Sequence, residues 1–208
     1  MARKKKNISK EILVNDQEKN YNLSDINNSE LVGNVTLKIK QGNRLIKSIN
    51  VHNTGTLNLF YGLTLALSGS LNYNIDYYLP KYLGAGVGVE LNQDKAILLT
   101  NLVEPIQMTM PTLNLFTSPM KDTINKQAIV TFQGVIPYRS IGNTEIREIG
   151  VYGVNNVLSG TLLSRIQFDG IKLEQGQSLY VDWTYGIRNL SNDLEQTSTS
   201  DANVSENN

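Results

Sequence analysis

Residues 128–140 read AIVTFQGVIPYRS, and residues 145–189 read EIREIGVYGVNNVLSGTLLSRIQFDGIKLEQGQSLYVDWTYGIRN. Near the end of this stretch Leu179, Val181, Trp183, Tyr185 and Ile187 take alternate positions, with Tyr180, Asp182, Thr184, Gly186 and Arg188 between them. Strand side chains point to opposite faces in turn, so the pattern predicts a half-buried strand with its large apolar row inward. Ala128, Val130, Phe132, Ile136 and Tyr138 form a second such row, interrupted at Gly134. Between the two, residues 146–152 and 162–168 are rich in β-branched and apolar side chains. Turns are expected at Gly142-Asn143, across 153–156, at Asp169-Gly170 and across 174–176. Short strands at regular spacing, with no helix-length pattern among them, predict a mainly β fold: an antiparallel, jelly-roll-like β-sandwich.

Working outward, Val35, Leu37 and Ile39 alternate with Thr36, Lys38 and Lys40, and Gln41-Gly42-Asn43-Arg44 is a hairpin turn before a returning strand at 45–51. Leu57, Phe60, Leu63, Thr64 and Leu67 recur at steps of three and four, which predicts a helix over 56–67. Thr54 or Thr56 is its expected cap, and Ser68-Gly69-Ser70 its stop. The helix is expected to lie across an open end or face of the sandwich. Residues 82–89 read as a strand carrying Gly84, Gly86 and Gly88, residues 96–100 and 102–110 as further strands, and 110–121, with Pro111 and Pro119, as a long connection. The structural core is expected to include Phe60, Phe132, Arg165 and Trp183.

The chain has 208 residues, enough to bury a core as one domain. It has no cysteine, which excludes disulfide and thiol chemistry and suits synthesis in a reducing cytoplasm. Charge is balanced overall but polarised. Arg3, Lys4, Lys5, Lys6 and Lys10 crowd the start without an acid, while Asp193, Glu195, Asp201 and Glu206 fall in a tail without a base. A near-neutral body between such ends is not that of a nucleic-acid-binding domain. We therefore divide the chain into an extended N-terminal arm (1–30), a β-sandwich domain (31–190) and a polar C-terminal tail (191–208). In the arm, Ile12, Leu13 and Val14 are the only apolar cluster before Leu31. The functional reading is an arm that docks on a neighbour through Ile12, Leu13 and Val14, with Lys4, Lys5 and Lys6 against an acidic surface. A polar tail with no seat is the competing reading. Residues 8–30 are too polar for the apolar core of a signal peptide, and no stretch is apolar enough to span a bilayer, so neither secretion nor a membrane is expected.

No constellation for catalysis emerges. His52 is the single histidine, so a His/Cys metal site is excluded and no cofactor is expected. The glycines at 84, 86 and 88 fail the dinucleotide pattern, which needs G-x-G-x-x-G opening a helix. Glycines on one strand face more often permit close backbone packing. Glu145 and Arg147 share a strand face and form a surface ion pair, with Glu148 on the other face. Arg165, flanked by apolar residues, is expected to bond a carboxylate, Asp182 or Glu148. A carbohydrate-binding module is the reading from another class, with Tyr73, Tyr77, Tyr78 and Tyr82 as its platform.

The succession VHNTGTLNLFYGLTLALSG (51–69), YLPKYLGAG (78–86), AIVTFQGVIPYR (128–139), EIREIGVY (145–152), LLSRI (162–166) and SLYVDWTYGIRN (178–189) resembles structural proteins of tailed bacteriophage particles. In particular it is similar to short β-sandwich proteins of crAss-like phages. The resemblance covers roughly residues 45–190 and leaves the arm and tail outside. It implies a non-enzymatic virion component, made in the host cytoplasm, without fixing its position in the particle; the leading reading is a capsid-surface auxiliary, decoration or head-fibre-anchoring protein. A neck, tail or baseplate adaptor is the alternative. The implied partners are other virion proteins, capsid or fibre subunits, in a homo-oligomer or symmetric assembly, with no membrane and no specific nucleic acid.

Overall fold

The computed structural model describes residues 29–69, 74–88, 93–124 and 126–189. The arm residues Lys4, Lys5, Lys6, Ile12, Leu13 and Val14, the tail and Tyr73 lie outside the described residues. Within them the strands are β1 (Ser29–Gln41), β2 (Arg44–His52), β3 (Thr54–Gly55), β4 (Tyr82–Gly86), β5 (Asn114–Asp122), β6 (Gln127–Pro137), β7 (Ile146–Tyr152), β8 (Leu162–Ile171) and β9 (Gln177–Asn189). Helix α1 (Leu57–Ser68) follows β3, and a 3₁₀ turn (Ile75–Tyr78) precedes β4. Short helices α2 (Gln93–Ala96) and α3 (Tyr138–Ile141) complete the set. All ladders are antiparallel, in a five-stranded sheet of order β2-β1-β9-β6-β5 and a four-stranded sheet of order β3-β8-β7-β4. The expected sandwich is the fold.

Its core follows from strand alternation. Pairing of β1, β9 and β6 aligns the inward residues in five ranks. From one end these are Ile39 with Leu179 and Ile136, Leu37 with Val181 and Gly134, and Val35 with Trp183 and Phe132. Gly33 with Tyr185 and Val130, and Leu31 with Ile187 and Ala128, complete them. The first three ranks pack on Leu83, Ala85, Ile149, Val151, Leu163 and Ile166 of the four-stranded sheet. The break at Gly134 has a physical reason: a Cβ there would lie 2.4 Å from Leu83 Cδ1, so the missing side chain seats a leucine of the opposite sheet. Gly33 likewise makes room for Asn53, whose amide nitrogen donates to the Gly33 carbonyl and whose oxygen accepts from Trp183 Nε1, each at 3.0 Å.

Four expectations are corrected. Residues 93–110 form α2 and irregular chain instead of strands, with only a bridge between Gly86 and Pro105. The long connection at 110–121 holds β5, an edge strand in which Pro119 loses no ladder bond and whose register slips twice against β6. Asp169-Gly170 is not a turn but an irregularity inside β8: Ile146 pairs with Ile171 while Glu148 pairs with Gln167. Ile187, placed in the inward row, is exposed, because the opposite sheet ends before it.

Candidate functional site

Titratable groups come first, since a catalyst must gather them. His52 ends β2 on the surface. Arg147 and Glu145 form the expected exposed ion pair at 2.9 Å. Glu148, completely buried, is the carboxylate that Arg165 finds: Arg165 Nε donates to Oε2 at 2.7 Å. Asp182, the other candidate, is held instead by Lys38 Nζ at 2.5 Å and Gln133 Nε2 at 2.6 Å. Backbone N–H groups finish the Glu148 site, with Gly88 and Glu104 donating to Oε1 and Val103 to Oε2. Added Cβ atoms on Gly86 and Gly88 would each sit 2.4 Å from Glu148 Oε1. The glycine spacing thus serves a buried anion supplied by the protein itself, not a phosphate. This carboxylate clamps β4 and residues 103–104 onto β7 and β8, and its oxygens are taken up by these donors. Among the described residues no cluster of three His, Asp or Glu residues could hold a metal.

Two buried phenols belong to the same scaffold. Tyr152 accepts from the Leu102 N–H at 3.0 Å, and the Tyr185 hydroxyl bonds Ser164 Oγ across the sheets. Burial pushes both well above the ordinary phenol range, against the lowering effect of these bonds, and the Glu148 charge adds to the rise at Tyr152.

The surface that stands out is apolar. Helix α1 reads LNLFYGLTLALS, with only Asn58, Thr64 and Ser68 polar. Leu59, Gly62 and Leu65 face inward, while Leu57, Phe60, Tyr61 and Leu67 are exposed, Leu67 at 90%. A surface helix normally turns polar residues to water, so one whose exposed surface is largely apolar, with Thr64 and Ser68 its polar breaks, marks a contact face. Phe60, expected in the core, is 38% exposed on this outer face: the spacing of three and four fits a stripe that here extends right round. Of the remaining core expectations, Trp183 is fully buried, Arg165 is buried at the Glu148 site, and Phe132 is half-buried.

The start of α1 is stitched to β8. The Thr56 hydroxyl reaches the carbonyls of Leu162 and Leu163 instead of capping the helix, and Asn58 Nδ2 donates to Gly160 and Leu162. Its inner face meets the 3₁₀ turn, where a Cβ on Gly62 would be 2.5 Å from Tyr78 Cβ, and Tyr61 stands edge-on to Tyr78 at 5.1 Å. Thus α1 and the turn overhang the last two ranks of the five-stranded sheet. Between them opens an apolar groove of about 280 Å³, with Leu59, Leu63 and Ala66 on one wall and Val130, Phe132 and Tyr185 on the other. Leu31 and Ile187 also line it, two residues from Ser29 and Asn189, which pair at the described ends of β1 and β9.

Of the tyrosines proposed as a glycan platform, Tyr77 is exposed, Tyr78 packs against α1, and Tyr82 packs beside Leu102 and Tyr152, so the three do not share a flat face. Neither the groove nor β5 was found by periodicity, although the lack of a polar face on α1 was a signal for an interface. Among the described residues no helix is long and apolar enough to cross a membrane. Comparison of the chain with protein-family models, curated proteins and solved structures finds no match.

Proposed function

We propose that this protein is a non-enzymatic structural component of a bacteriophage virion, at the capsid surface, where it decorates the shell or anchors a fibre. One observation carries the reading: a two-sheet block presents a helix whose exposed surface is largely apolar, with Leu57, Phe60, Tyr61 and Leu67 turned outward. Such a face gains by burial against a neighbour, and a rigid block adds little ordering entropy on assembly. The motif succession read from the sequence supplies the virion context. The buried anion clamp supports a scaffold role, since its donors and acceptor are spent on one another.

The test is quantitative mass spectrometry of gradient-purified particles from the encoding phage. A copy number equal to the major shell subunit, or a simple fraction of it, is expected. A count matching one small ring would move the protein to the neck or tail, and absence from particles would overturn the reading.

A further inference from the structure

The groove beneath α1 is a seat without a described occupant. Its walls are aliphatic and aromatic, and its volume of about 280 Å³ is roughly twice that of an apolar cavity of ~150 Å³ that holds a benzene molecule. It therefore has room for about two large aliphatic side chains. Leu31 and Ile187, two residues from the described ends of β1 and β9, line it. Outside the described residues, Ile12, Leu13 and Val14 are the single run of three apolar residues; elsewhere in residues 1–28 and 190–208 such residues stand alone or in pairs.

We propose that Ile12 and Val14 of the N-terminal arm fill the groove of their own sandwich. In an extended segment these two side chains point to the same face, which matches the two places the groove offers. Fourteen residues separate Val14 from Ser29. Extended they would span about 46–50 Å, ample to turn back beside Leu31. A tether of this length holds the segment near its own groove at an effective concentration in the millimolar range, far above that of a second copy in dilute solution. This decides for the chain's own seat over a neighbour's. The arm would then be anchored by its apolar residues, leaving Lys4, Lys5 and Lys6 displayed beside the exposed face of α1.

The absence of cysteine allows a background-free test on the full chain. Ile12→Cys is combined with Ala66→Cys in the groove wall, or with Asn43→Cys in the β1–β2 turn at the opposite end of the sheet. Disulfide formation in dilute protein is then followed by non-reducing electrophoresis. The groove pair is expected to close within one chain on the order of tenfold or more faster than the turn pair, because seating concentrates the thiol. Adding Val14→Asp is expected to bring the groove pair down to the control rate. Equal rates for the two pairs, or no effect of Val14→Asp, would overturn the proposal. Disulfide-linked dimers as the main product would give the groove to a second copy's arm instead. The assay reads isolated protein, so its failure leaves virion membership untouched, and absence from particles leaves this assay untouched.

Discussion

Replacing Glu148 with glutamine is the sharpest probe of the scaffold. The carboxylate accepts four hydrogen bonds, from Gly88 and Glu104 on Oε1 and from Val103 and Arg165 on Oε2, at 2.7–3.3 Å. An amide has the same shape but only one acceptor end. Whichever way it turns, its NH₂ faces two donors, and Arg165 loses its buried carboxylate. Breaking one partner of a buried ion pair costs about 3–5 kcal/mol, a large share of the ~5–15 kcal/mol that holds a domain together. At about 2–4 °C per kcal/mol for a chain of this size, Glu148→Gln should lower Tm by roughly 6–20 °C. Urea unfolding followed by circular dichroism should give a lower midpoint at unchanged slope, since the same surface is exposed. Hydrogen exchange should locate the damage: Val87 N–H, bonded to Glu104, and Ile106 N–H, bonded to Ala85, should lose protection first. A loss below about 1 kcal/mol would refute the view that this anion clamps the edge of the four-stranded sheet.

Other substitutions separate packing from surface. Gly62→Ala should raise helix propensity by about 1 kcal/mol yet destabilise the protein, because the new Cβ meets Tyr78 at 2.5 Å; a higher Tm would contradict the close approach of α1 and the 3₁₀ turn. Leu67→Lys, at an exposed site in the last turn of α1, should change stability by no more than about 0.5 kcal/mol while abolishing incorporation into particles, and normal incorporation would remove this face from the interface. Removing residues 1–28 should leave a folded, soluble protein that no longer enters particles, measured by circular dichroism and particle composition. In alkaline titration followed by phenolate absorbance, Tyr152 and Tyr185 should stay protonated through the range where exposed tyrosines ionise. Their folded pKa values are raised, so the stability they contribute is intact below about pH 10 and lost as pH rises beyond it, and titration of all ten tyrosines in one step without unfolding would contradict their burial.

The alternating rows of β6 and β9 were legible because a two-residue period survives wherever one face is buried, and the turn at 41–44 because its glycine takes a left-handed φ of 57°. Alternation does not say how far the opposite sheet reaches. Ile187 and Val130 therefore looked like core but line a groove. Edge strand β5 was hidden by Pro119, a residue that argues against strands in general but is harmless at an edge. The partner of Arg165 was narrowed to Glu148 or Asp182, and the choice rested on register: Gly150 lies opposite Arg165, beside Glu148 and Ile149. Where Glu148's other oxygen would find donors was not visible, because the loop at 103–104 reaches it across a gap in sequence that no local pattern records.

The strand order carries a consequence for biosynthesis. β9, the last of the described strands in chain order, is the middle of the five-stranded sheet and, among the described residues, the sole link between the β1–β2 hairpin and the β5–β6 hairpin. Until it emerges those two hairpins have nothing to join them, and β1 waits for a partner paired along its full length, from Ser29 with Asn189 to Gln41 with Gln177. At the ~5–20 residues per second of translation, that wait is on the order of ten seconds. Closure of the sheet is therefore deferred until β9 has been made, and such distant pairing makes it slow. A chain cut off before β9 can neither close the sheet nor complete the far wall of the groove, so only a copy that carries β9 has the groove at all.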